Sequence, residues 1–332
     1  MPRTILMGDP QFFSVKGGAN PHTRNALGLK KTVDAQRARQ QWHTMARALS
    51  AQGVEVLVIP PNEGLTGLVY PANAGFLYPL QGCSSSQKTF HLSNLLPTRA
   101  GEREVYQSFI QSLGLATREV QARFEGEADF LPAGDLMLFT HGRVERQRFV
   151  PAFAVPPWKR VYGFRSDERT LGELKRIAAD RVIISLELCL EAHYHGDTVL
   201  CSFGPAREYL LAYMDGLTAD SQEQLRSAFG ARLIELSHAD AELYAANSFQ
   251  VEHGGRLNLF MPLGVSDELC AQVRAHGVEP VLVDVSEFLA KGGGSIKCMI
   301  LDLGPSGELP NDPAATTFRA ERQYDHLFPQ RG

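Results

Sequence analysis

Hydrophobic and polar positions alternate along this chain in an order that returns five times. Residues 3–7 read as a strand. Residues 33–51 read as an amphipathic helix, with Gln36, Arg37, Arg39 and Gln40 outward against Trp42, Met45 and Leu49. Gly53 ends it, 54–59 is a β-branched strand, and a proline-rich loop and a short strand bring in Tyr70 to Phe76. The same order follows in 109–129, where a helix end, Gly114 and the strand 115–120 lead to Phe124–Asp129. It follows again in 171–199, with helix 171–179, strand 181–186 and a segment His193–Val199 read as a strand. The fourth copy has helix 221–229, Gly230, strand 232–236 and a loop to Phe249. The last has helix 268–276, Gly277, strand 281–285 and a loop through Lys291 that delivers Gly292, Gly293, Gly294 and Cys298 to a buried strand.

Units of helix, glycine, strand, loop, polar residue and strand, spaced by roughly 50 to 65 residues, mark a repeat architecture of class α/β. Asn73, Asp129, His195, Asn247 and Cys298 hold equivalent places. If five such units close into a ring, these residues converge near its axis. The competing reading is an ordinary α/β protein in which that correspondence is accidental. Cys298, where a glycine loop enters a rigid strand, suits a nucleophile, but it equally suits an inert core cysteine.

Composition narrows the classes. The 332 residues are 44% hydrophobic, enough for a large core, and the formal charge of −4 gives no general attraction for nucleic acid or anionic membrane. No window has the length of a transmembrane helix and the start lacks a signal-peptide pattern, so a cytoplasmic location is expected. The five cysteines, Cys83, Cys189, Cys201, Cys270 and Cys298, form no CxxC pair and suggest neither a disulfide framework nor a cysteine zinc site. His193 and His195, two apart on the expected strand, would share a face and with Asp197 make a metal reading available, but no third histidine or cysteine stands at ligand spacing. No metal and no organic cofactor are expected.

The blocks FEGEADFL, HGDTV and SEFLAKGGGSIKCMIL, in that order, resemble the guanidine-modifying superfamily of arginine deiminases, dimethylarginine dimethylaminohydrolases, arginine dihydrolases and amidinotransferases. NPHTRN, VYPANAGF, YGFRSD and AANSFQVE resemble its arginine dihydrolase and deiminase-like branch. The resemblance implies a five-bladed α/β propeller, the pentein fold, of ββαβ repeats with pseudo-fivefold symmetry. It implies one catalytic domain over residues 1–304 and a tail at 305–332, for which a surface wrap, a dimer contact (hence a homodimer) and disorder all stay open. It also implies a small guanidine substrate attacked by Cys298 through a thiouronium intermediate, with His195 as acid and base and Asp129 as the matching carboxylate. Asp197, Glu125, Asn20, Asn73 and Asn247 would line the substrate site, with Arg165 on the substrate carboxylate and Arg169 as a second candidate. Lys297 or an imidazolium is expected to lower the thiol pKa. Gly67 stands where relatives carry aspartate, HGDTV has glycine where leucine is usual, and 83–86 is altered; these departures allow a different or methylated guanidine. An amidinotransferase and a non-catalytic guanidine-binding propeller are the alternatives.

Overall fold

The computed structural model describes residues 3–25, 27–79, 87–151, 158–305, 309, 311 and 316–318. Its strands form five three-stranded sheets of one pattern, in which a first strand runs antiparallel to a second and the second runs parallel to a third. In chain order of their first strands these are Gly75–Tyr78 with Thr89–Leu92 and Ala116–Glu119; Phe130–Ala133 with Leu136–His141 and Val182–Glu187; Leu200–Phe203 with Tyr209–Ala212 and Leu233–Glu235; and Phe249–His253 with Arg256–Pro262 and Val278–Val283. The fifth sheet joins the two ends of the described chain, Leu301–Pro305 pairing with Arg3–Gly8 and that strand with Glu55–Ile59.

A helix bridges the second and third strands of each sheet, as parallel pairing requires. The five are Ala35–Ala51, Glu102–Ser112, Leu171–Ile177, Ala219–Phe229 and Asp267–Ala275. Their apolar stripes account for their placement: Trp42, Met45 and Leu49 of the first are fully buried, while Gln36 and Arg37 lie outside. The expected helices and strands shift by only a few residues, the last strand most, from 281–285 to Val278–Val283. Two further short helices, His238–Glu242 and Ser286–Gly292, occupy what reads as loop, and a two-stranded hairpin, Arg148–Pro151 with Trp158–Val161, lies outside the repeat. Part of the tail docks on the first-strand sheet, where Phe318 donates its N–H to Val56 O at 2.8 Å and packs on Trp42 and His43. Cys83 and the altered stretch 83–86 lie outside the described residues, as does the tail from 319.

A short turn precedes each first strand: Pro71–Ala74, Gly126–Ala128, Gly196–Thr198, the turn after His238–Glu242, and Lys297–Met299. These turns replace two sequence-based expectations. His193 and His195 sit on turn rather than strand, since strand begins only at Leu200, and Cys298 lies on a single 3₁₀ turn before Leu301. The turns touch across sheets closely enough to exclude side chains. Gly126, at φ +63°, is placed so that a Cβ would stand 2.6 Å from the carbonyl oxygens of Ala72 and Gly75.

Candidate active site

These turns bring polar residues from distant parts of the chain together beside a cavity of about 160 Å³. Cys298 and His195 line it, with Asn20, Asn73, Glu125 and Arg165 from the sequence-based set. Arg99, Glu102, Tyr70 and Tyr194 also line it and were not singled out by sequence reasoning. The Arg99–Glu102 i,i+3 spacing is the one signal that pointed there, and such pairs are ordinarily surface helix salt bridges.

Cys298 is 3% exposed. Asn247 clasps it from both ends, donating from Nδ2 to Sγ at 3.1 Å and accepting the Cys298 N–H on Oδ1 at 3.1 Å. The thiol donates to Asp197 Oδ2 at 3.4 Å. Burial, and then the Asp197 charge, push the thiol well above its ordinary pKa. Asp197 is itself fully buried, and burial raises its carboxyl to about 6 against the pull of His195 and Lys297. Its Oδ1 has no hydrogen-bond partner among the described residues. Asn20 Oδ1 and Ser295 Oγ are also buried without a partner, but a carboxylate oxygen left unpaired is the costliest of the three.

His195 Nε2 stands 2.9 Å from Glu125 Oε2, and Asn73 Nδ2 points at the same oxygen at 3.4 Å. The same Asn73 Nδ2 stands 3.3 Å from His195 Nε2, and an ionised Glu125, which can only accept, takes the ring proton when that proton sits on Nε2. Burial disfavours ionisation of Glu125, yet the His195 bond and charge, with Arg99 and Arg165 behind, hold it down at about 2. Arg99 fixes the amide by donating to Asn73 Oδ1 at 2.9 Å while it pairs with Glu102 at 2.6 Å.

Asp129 departs from expectation. It does not reach the cavity: Thr140 Oγ1 at 2.7 Å, Ser166 Oγ at 2.6 Å and Gly196 N at 2.9 Å occupy its oxygens, and it stays 4.0 Å from His195 Nε2. Burial raises its carboxyl, opposed by His195 and by those three donors. The carboxylate beside the imidazole is therefore Glu125, whose block position was clear but whose partner was not legible in sequence. Lys297 turns away from the thiol, bonding Glu127 at 2.7 Å, so it does not activate Cys298. Arg169 is exposed and paired with Asp167. His193 packs between Tyr213 and Tyr244, with burial lowering its pKa to about 4, and no metal-holding group of histidine, cysteine, aspartate or glutamate occurs among the described residues.

The cavity mouth is built around Tyr194. Its hydroxyl donates to Gly293 O at 2.7 Å and receives Asn20 Nδ2 at 3.2 Å, while Asn20 also holds Gly292 O at 2.8 Å. Arg165 stacks on the ring, 4.6 Å from its centre, and spends single N–H groups on Gly163 O and Ala19 O. Three of its five N–H groups remain for a ligand. The glycine loop must be glycine here: a Cβ at Gly292 would lie 1.9 Å from Tyr70 Oη.

Comparison with known proteins places this geometry. The N-terminal domain of ArgZ bound to product, described as an arginine dihydrolase from the ornithine–ammonia cycle in cyanobacteria, superposes with a TM-score of 0.75 at 23% identity, covering 92% of this chain and 98% of that one. A dimethylarginine dimethylaminohydrolase in adduct with S-methyl-L-thiocitrulline gives 0.62 at 18%, covering 91% and 100%. The fold is thus that of the guanidine-modifying, or pentein, superfamily. In sequence, the N(G),N(G)-dimethylarginine dimethylaminohydrolase of Mycobacterium tuberculosis is 32% identical over 92% of this chain and 87% of its own length. The bifunctional arginine dihydrolase/ornithine cyclodeaminase ArgZ of Synechocystis is 27% identical over 90% of this chain and 37% of its own. A family model described as N,N dimethylarginine dimethylhydrolase, eukaryotic, matches residues 9–304, and the chain belongs to that family.

Proposed function

We propose that this protein is a cysteine-dependent hydrolase that cleaves a C–N bond at the guanidino carbon of arginine or an N-methylated arginine. The observation that carries the reading is the unpaired Asp197 Oδ1 buried beside the Cys298 thiol. It is an acceptor without a donor, next to a nucleophile without a charge, and a guanidinium supplies what both lack.

Binding of the cation pairs Asp197, and its positive charge favours the thiolate against the burial and the Asp197 charge that hold the thiol neutral; the thiol proton passes to His195, making the imidazolium that Glu125 balances. The thiolate attacks the guanidino carbon. His195 gives its Nε2 proton to the departing nitrogen, which leaves as ammonia or a methylamine, and a thiouronium remains on Cys298. His195 then takes a proton from water as the oxygen adds to that carbon. The C–S bond breaks, releasing a ureido product, citrulline, and a second round on that product would release a second ammonia and leave a carbamate that loses carbon dioxide to give ornithine. Glu125, held ionised, balances the imidazolium in both steps, and Asn247 holds the sulfur in line. Asn73 and Asn20 line the guanidine end, and Arg165 meets the substrate carboxylate with its unspent N–H groups. Asp129 acts one step removed, fixing the Gly196 N–H between His195 and Asp197.

The five equivalent sheets, with first and last strands sharing one of them, support closure into a five-bladed propeller. Among the described residues no helix is long and apolar enough to cross a membrane. Incubation with arginine, monomethylarginine and asymmetric dimethylarginine, with product analysis by mass spectrometry, tests the reading. Citrulline or ornithine with stoichiometric amine, and a mass increase on Cys298 during turnover, are expected. Amidino transfer to added glycine without amine release would contradict hydrolysis, and saturable binding without turnover across the panel would contradict catalysis.

A further inference from the structure

We infer that a second cavity, bounded by the residue before the nucleophile, binds a small polyanion through Arg207. This cavity, of about 820 Å³, is lined by the cations Arg3, Lys88, Arg181, Arg207, Arg232 and Lys297, against five carboxylates. It belongs to a different place from the substrate cavity: Cys298 lines one and Lys297 the other, so a single turn separates them.

Most of the charges are already matched. Arg3 pairs with Asp302, Lys297 with Glu127 at 2.7 Å, and Arg181 reaches Gly134 O at 3.1 Å and Asp135 at 3.8 Å. Arg232 is spent on the carbonyls of Ala228 and Phe229. Arg207 is the exception: its guanidinium has no hydrogen bond or ion pair among the described residues, and it feels Arg3 as a like charge and Asp302 and Glu127, already paired with Arg3 and Lys297, as opposite ones. The carboxylate next to it in sequence, Glu208, accepts the Ala206 N–H on Oε2 at 2.8 Å instead.

The backbone is arranged at a cost to put that cation there. Arg207 closes the turn between Leu200–Phe203 and Tyr209–Ala212 at φ +55°, with its N–H on Gly204 O at 3.1 Å. That hairpin position favours glycine or asparagine, and only one other non-glycine residue among those described, Tyr244, has a positive φ. An arginine kept in a left-handed slot, with its five donors unspent in a cavity where cations outnumber carboxylates, is fitted to a carboxylate or phosphate oxygen. The cavity is large enough for a metabolite of drug-like size. Two or more negative charges on the ligand are called for, since it must meet Arg207 without dislodging Asp302 from Arg3.

Citrate and inorganic phosphate are the probes, titrated separately into the full-length protein in a low-salt buffer, with calorimetry and thermal unfolding as readouts. The two arms separate a polycarboxylate from a phosphate site. Saturable binding of at least one with a millimolar or tighter Kd is expected, weakened at least tenfold in Arg207→Gln and partly restored in Arg207→Lys. Arginine turnover without the anion stays within twofold in both variants. Arg207→Gly, which relieves the backbone, raises the midpoint of unfolding yet loses the anion response. No saturable binding of either probe, or binding equal in the wild type and Arg207→Gln, overturns the proposal. Neither result depends on which guanidine the enzyme hydrolyses.

Discussion

Asp197 and Asp129 are two buried carboxylates on adjoining turns, and they have opposite surroundings. Neither is among the residues that line the cavity, but Asp129 receives three donors, whereas Asp197 has one oxygen on a thiol and the other on no partner among the described residues. The contrast separates architecture from function. A saturated acid fixes the backbone that carries its neighbours, and an acid left short of donors is held for a ligand that brings them.

Substitutions at the two positions should therefore diverge. The largest effects are on turnover. Cys298→Ser and Asp197→Asn each lower kcat/KM by about 10³-fold or more, roughly 4 kcal/mol of transition-state stabilisation, and steady-state assays check this. Asp129→Ala acts on stability instead, costing about 2–4 kcal/mol in denaturant unfolding, because two hydroxyls and an amide lose their acceptor together. Asp129→Asn, which keeps one acceptor oxygen, retains activity within about tenfold.

Glu125 gives the acid limb. Its carboxyl is held at about 2 in the folded protein, below its unfolded value, so its contribution is complete above about pH 4.5 and is lost as pH falls toward 2. Removing it in Glu125→Gln should flatten the wild-type loss of stability over that window by about 2–3 kcal/mol, measured by urea unfolding at several pH values. Asp197 has the opposite sign. Folding raises its pKa to about 6, so its charge costs stability above that pH and the cost disappears as pH falls toward 4. Asp197→Asn should then stabilise the ligand-free protein by about 1–3 kcal/mol at pH 8 and by little at pH 4.

Much of this was legible in the chain. The five-times repeated order predicted five equivalent sheets because glycine and proline punctuate each strand and helix at matching points, and the blocks around Glu125, His195 and Cys298 located the chemistry. What was illegible depended on contacts between turns. Asp129 and Glu125 stand four residues apart in one block, and only the position of Thr140 and Ser166 decides which of them faces His195. Lys297 is adjacent to the thiol in sequence, yet the 3₁₀ turn sends it to Glu127. Arg99 belongs to a pattern common on exposed helices, and its burial follows from packing against Gly67, where a Cβ would stand 2.3 Å from Glu102. The short helix Ser286–Gly292 ends in three glycines that read as loop, and Tyr70 crossing them holds that segment in place.

The most direct test is calorimetric titration of arginine into Cys298→Ala and into the double variant Cys298→Ala, Asp197→Asn, both incapable of turnover. If the unpaired Asp197 oxygen receives the guanidinium, the double variant binds at least tenfold more weakly and the binding heat falls. Equal affinity in the two would contradict the account, since the guanidinium would then be held by other groups.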